Sequence, residues 1–125
     1  MISTAPELLL LVEAIRKNRA PTISEDIMKL MSANALPNGR PDDPSSGFGL
    51  GWGILLDPAP AQTPQSPGTL YWGGVYGHRW FTDPARKLSV VIMTTTAITV
   101  RDDPVSTGIR NAIYANLPES AANAA

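Results

Sequence analysis

Three glycines, Gly73, Gly74 and Gly77, interrupt a segment whose other members, Tyr71, Trp72, Val75, Tyr76, Trp80 and Phe81, favour strands. Glycine inside a strand costs stability and packs nothing, so it marks a bulge or a place where a ligand or another backbone comes close. Pattern alone leaves both readings open. The single histidine, His78, follows at once. It either helps shape a site or, as expected here, is a structural residue bonded across a hairpin. Asp42 and Asp43 form an acidic pair, but no matching ligands lie nearby, so they read as a solvated loop rather than a metal site. With no cysteine, disulfides and thiolate metal sites are excluded, and one histidine makes zinc a poor expectation. Trp52, Tyr71, Trp72, Tyr76 and Trp80 supply a different chemistry, an aromatic surface for a glycan or peptide, set against core packing as the commoner fate of such rings.

These residues need strands to hold them. Leu88 to Thr96 is a continuous apolar and β-branched run, which predicts an interior strand covered on both faces. The connection Asp83 to Lys87 carries turn chemistry, with Pro84 presetting φ and Asp83 able to bond its own backbone. His78–Asp83 and Leu88–Thr96 therefore form an antiparallel pair. Upstream, Phe48, Leu50, Trp52, Ile54 and Leu56 alternate with Gly49, Gly51, Gly53 and Leu55, predicting one strand with a large-residue face and a nearly bare face on which something packs closely. Asp57 to Gly68, with four prolines, is an excursion between strands that suits the rim of a cleft.

Helices flank this sheet. Thr4 and Glu7 have capping-box spacing, with Pro6 in the first turn, and Leu8, Leu11, Val12 and Ile15 form one apolar stripe while Glu13, Arg16 and Lys17 face water. Leu8 to Val12 is too short to span a membrane and has no basic leader or cleavage site, so a cytoplasmic chain is the expectation. Ser24 caps a second helix with Ile27, Leu30 and Met31 as its apolar face. Ala35 to Gly47 reads as a surface loop. Asp103-Pro104 starts a last helix whose Val105, Ile109, Ala112, Ile113 and Leu117 lie on the sheet; Pro118 ends it, and residues 119–125 read as a frayed tail. The fold class is α+β: an antiparallel sheet with flanking helices. A length of 125 residues fits one domain, and 43% hydrophobic against 17% charged residues with a net charge of −1 excludes a basic surface for nucleic acid or an anionic membrane.

Ile2 to Leu8 with its helix, the Ile23-Ser24 helix start, Phe48-Gly49-Leu50-Gly51-Trp52, and above all Trp72-Gly73-Gly74-Val75-Tyr76-Gly77-His78 with Phe81-Thr82-Asp83-Pro84, resemble the C-terminal third of the serine β-lactamase and penicillin-binding-protein fold. The resemblance is closest to class C-like serine hydrolases, including the family VIII carboxylesterases, and covers nearly the whole of residues 1–125. It implies a single segment of such a domain, acyl transfer on an ester or amide substrate, and no cofactor. Trp72, Gly73 and Gly74 take the place of the family's Lys/His-Thr-Gly motif on the strand lining the site. Val75 then offers its backbone N–H to the oxyanion hole, with His78 beside the substrate. Tryptophan in place of a cation removes a partner for a substrate carboxylate and favours neutral esters over β-lactams.

The family's Ser-x-x-Lys nucleophile motif is not met: no serine here has a lysine three residues on. Tyr114-Ala115-Asn116 matches the family's Tyr-x-Asn by letters only, being in the terminal helix. The resemblance thus implies a partial hydrolase, inactive alone, whether a piece, a truncated reading frame or one chain of a split enzyme completed by an N-terminal chain. The rivals are a non-catalytic module built on the aromatic surface and an inactive fragment whose apolar strands pair with another copy.

Overall fold

The computed structural model describes residues 3–19, 23–95, 97 and 103–118. Helices α1 (Ala5–Arg16), α2 (Glu25–Met31) and α3 (Pro104–Ala115) accompany strands β1 (Ser46–Phe48), β2 (Gly53–Leu55), β3 (Leu70–Gly73), β4 (Arg79–Asp83) and β5 (Leu88–Ile92). The strands form one sheet in chain order, each antiparallel to the next. This is the α+β architecture read from the pattern. The expected tail and residues 98–102 lie outside the described residues.

Local chemistry sets the helix starts as expected. The Thr4–Glu7 capping box opens α1, Ser24 accepts from the Ile27 amide at α2, and Asp103 accepts from the amides of Val105 and Ser106 at α3. Ile15, Met28, Trp52, Ile54 and Leu70 then form the core on one face of the sheet. On α1 only Val12 and Ile15 are buried, while Leu11 is exposed, because the helix meets β4 and β5 along a narrow line. Glu13 is drawn into that contact: hydrogen bonds from Arg16, then Ser89, hold its carboxyl down from 4.5 to about 2. On α2 the buried residue is Met28, whereas Ile27 and Leu30 are exposed, since a seven-residue helix presents one residue per turn to the core.

Two expectations about the strands change. The stretch from Phe48 is a hairpin, not one strand: the Gly49 amide donates to the Trp52 carbonyl at 2.9 Å, and β1 and β2 fold back on each other. A side chain on Gly49 would lie 2.0 Å from the Met31 carbonyl oxygen, so the chain turns there against the end of α2. The bare glycine face is closely packed as expected, with the Tyr71 ring 2.7 Å from where a Cβ on Gly53 would be. Last, β5 ends at Ile92 and is an edge strand with mostly half-buried residues, because among the described residues no strand lies beyond it.

Helix α3 also differs from its pattern. Val105, Ile109 and Ala112 are exposed, and the side turned to the sheet carries Ser106 and Tyr114 instead. The reason is Asp83, wholly buried at the end of β4, which accepts from the Tyr114 hydroxyl at 2.6 Å, the Ser66 amide at 2.9 Å and the Arg86 amide at 3.1 Å. A buried carboxylate demands donors, and Tyr114, stacked on Phe81 at 6.2 Å, brings one.

Candidate active site

The glycine segment closes the β3–β4 hairpin. Trp72 pairs with Trp80 and Gly73 with Arg79; the Gly74 amide then donates to the His78 carbonyl at 2.7 Å and the Gly77 amide to the Gly74 carbonyl at 3.1 Å. The loop is therefore Val75-Tyr76-Gly77. Gly77 sits at φ +93°, the left-handed position that ends a three-residue hairpin loop in a bulge. Of the two readings of these glycines, the bulge applies to Gly77. Gly73 and Gly74 meet a different condition. Strand β2 pairs with β3 only through Gly53↔Tyr71 and Ile54↔Leu70, so from Trp72 onward the outer edge of β3 has no described strand beside it. A Cβ on Gly74 would meet open space.

At the end of that edge the Val75 amide makes no backbone hydrogen bond among the described residues, and its side chain is 64% exposed. Gly73 and Gly74 are exposed beside it. The His78 side chain points outward without a hydrogen bond among the described residues; the bond across the hairpin is made by its carbonyl. That corrects the expectation of an imidazole bridge, because the backbone pair already satisfies the geometry there.

The rings divide rather than gather. Trp52 is 7% exposed and lies edge-on to Trp80 at 6.1 Å in the core. Tyr71 donates its hydroxyl to Ser46 Oγ at 2.9 Å on the opposite sheet face from Trp72. Only Trp72, 43% exposed, and Tyr76, 72% exposed, are open to solvent, so the five-ring surface is not formed. Asp43 is committed too: its carboxylate accepts from the Ser45 amide and hydroxyl and from Ser46 Oγ at 2.6 Å. It is a capping group in the turn before β1 rather than a solvated charge. Among the described residues no cluster of three metal-ligating side chains occurs.

Tyr114 belongs to the structural network already described. Burial, and then the Asp83 carboxylate, push its phenol well above the usual range, opposite to what a proton-abstracting tyrosine needs. A cavity of about 180 Å³ lies on this α3 side, lined in part by Gln65, Tyr71, Arg79, Phe81, Ser106 and Arg110. The proline-rich excursion does form a rim, bordering this cavity through Ala61, Thr63 and Gln65; of the expected site residues Trp72 lines it, whereas Gly73, Gly74, Val75 and His78 do not.

A family model described as Beta-lactamase matches residues 1–113. The chain belongs to the beta-lactamase family. As a member it is 42% identical over 117 residues to esterase EstB of Burkholderia gladioli, covering 92% of this chain and 29% of that protein. Among solved structures, EstCE1, a hydrolase with promiscuous acyltransferase activity, superposes with a TM-score of 0.79 at 38% identity over 90% of this chain and 30% of its own. Simvastatin synthase LovD from Aspergillus terreus (LovD6 mutant) shares the fold, with a TM-score of 0.65 at 21% identity over 84% of this chain and 31% of its own. This beta-lactamase-family chain thus spans about three-tenths of the length of the relatives it matches.

Proposed function

We propose that the chain is the portion of a beta-lactamase-like carboxylesterase that supplies the substrate-lining strand and one oxyanion donor, acting by acyl transfer on neutral esters. The Val75 amide, which makes no backbone hydrogen bond among the described residues and stands at the end of a strand edge cleared by Gly73 and Gly74, carries this reading. A tetrahedral intermediate needs donors about 3 Å from its oxygen that require no reorganisation, and a backbone amide on a short hairpin loop meets the second condition. Trp72, Gly73, Gly74 and His78 then border the substrate. The attacking hydroxyl, its base and the second donor come from residues outside this chain, since no Ser-x-x-Lys is present. A complementing segment also suits the exposed apolar side chains Leu10, Ile27, Leu30 and Val105.

Two assays test the proposal. The purified chain is given a short-chain nitrophenyl ester; it is expected to show no turnover, because binding and charge stabilisation without a nucleophile do not complete the reaction. Turnover that a serine-directed phosphonate abolishes would overturn the partial-site reading. Next, the chain replaces the matching segment of esterase EstB. A folded chimera that hydrolyses the ester supports the assignment, and a folded but inert one opposes it.

A further inference from the structure

Strand β5 ends the sheet, and its outer backbone groups can be assigned. The Gly74 amide bonds the His78 carbonyl, and bonded pairs alternate along an antiparallel ladder, so Trp80 and Thr82 turn their backbone to β3 while Arg79, Phe81 and Asp83 turn theirs to β5. Their partners Leu88, Val90 and Ile92 are thus bonded inward. Ser89 and Val91 present N–H and C=O groups to the outside, where no strand stands among the described residues. Natural edges are protected by a charge, a proline or a bulge. From Leu88 to Thr96 there is no charged residue, no proline and no glycine, and the β4–β5 register runs unbroken.

This edge is complementary to itself. Two β5 strands laid antiparallel about a two-fold axis at Val90 set Ser89 of each opposite Val91 of the other, and these are the residues whose outward groups lack a neighbouring strand, with two bonds per pair. On the face that carries Phe81 and α3, Leu88 meets Ile92 of the other copy and Val90 meets its counterpart, an unbroken apolar row. Lys87 falls opposite Met93, so no like charges meet. The other face carries α1, whose Glu13 bonds Ser89; Leu9, one turn earlier on that side, is 38% exposed. With strands about 4.8 Å apart and α1 lying over β4 and β5, the two α1 helices stand about 10 Å apart across the axis, a distance at which helices pack. We propose that β5 is a self-association edge whose occupant is β5 of a second copy of this chain, joining two five-stranded sheets into one. The proposal goes beyond the hydrolase reading and does not rest on it, since β3 and the Val75 loop lie two strands from the junction.

The chain has no cysteine, so single replacements report the register. Val90 Cα atoms facing each other in a non-bonded pair stand about 4.5 Å apart, within the roughly 4.4–6.8 Å that a disulfide spans. With oxidised glutathione, which takes up the two thiol hydrogens and is itself reduced, Val90→Cys is expected to give a covalent dimer of twice 13.3 kDa. Leu88→Cys and Ile92→Cys are each expected to stay unlinked alone, like positions being about 13 Å apart along the strands, and to link when mixed. Sedimentation of the wild-type chain over a concentration series is expected to pass from monomer to dimer. Val91→Pro, which removes one outward N–H from each copy and none of the bonds to β4, is expected to weaken the dimer roughly ten- to hundredfold. A wild-type chain monomeric at every concentration overturns the proposal: Ser89 and Val91 amides that then exchange freely with solvent leave the edge to a complementing segment, and protected ones show it covered from within the chain. A dimer in which Val90→Cys does not link, or Leu88→Cys links to itself, overturns the pairing about Val90. A folded Val91→Pro as dimeric as wild type refutes pairing through the backbone. The cysteine links decide the proposal even should Val91→Pro fail to fold.

Discussion

Val75→Pro deletes a single N–H at the position where catalysis would need it. The substitution is unusually clean here. The Val75 amide gives up no backbone hydrogen bond among the described residues, and the bonds that close the loop are donated by Gly74 and Gly77. Val75 is not among the residues with positive φ and is the first corner residue of the Gly74–Gly77 turn, where proline is favoured. Gly74, forced towards extended backbone by a following proline, is already the last paired residue of the hairpin. Stability should therefore stay level or rise by up to about 1 kcal/mol, the gain typical of proline at a compatible site. Turnover should not. Loss of one oxyanion donor costs about 2.7–4 kcal/mol in the transition state, so kcat of the EstB chimera should fall roughly 100- to 1,000-fold with KM little changed. Val75→Ala, which keeps the amide, is the control and should match wild type. The assay is nitrophenyl ester hydrolysis beside a urea melt of the same samples. Undiminished kcat in a folded Val75→Pro chimera would refute the oxyanion role.

Glu13→Gln should cost about 1 kcal/mol at neutral pH, the worth of two partly exposed helix pairs and a bond to Ser89. Because the folded-state pKa lies below the unfolded value, that contribution is complete above pH 4.5 and disappears as pH falls through about 2; urea melts of wild type and variant should converge over that window. Asp83→Asn sets an amide donor among three donors in a buried site and should lose roughly 3 kcal/mol, with Tyr114→Phe losing about 1.5–3 kcal/mol. Tyr114→Phe in a folded chimera should leave kcat unchanged, and a large fall would restore the tyrosine as a proton-transfer group. Gly77→Ala, at φ +93°, should cost about 1–2 kcal/mol by thermal melt, a smaller change arguing against the strained loop geometry.

Features encoded within a few neighbouring residues were legible from the letters. The helix caps at Thr4, Ser24 and Asp103, the Asp83–Lys87 turn and the His78–Asp83 pairing all depend on side chains bonding their own backbone nearby. The family motif at Trp72 to His78 is local too. What burial does to each face was not legible. Leu11, Ile27, Leu30, Val105 and Ile109 have the spacing of core residues, yet they are exposed, because periodicity marks a face without saying what covers it. Likewise the alternating glycines from Phe48 fit one strand as well as two. Only the Met31 carbonyl, brought by α2 against Gly49, makes the chain reverse there. Asp83 is the clearest case of all: as a letter it is a turn residue, but its burial drew a tyrosine 31 positions away onto the sheet and turned α3 about its apolar stripe. A bond between neighbours can be read along the chain, whereas desolvation belongs to whatever segments the fold brings together.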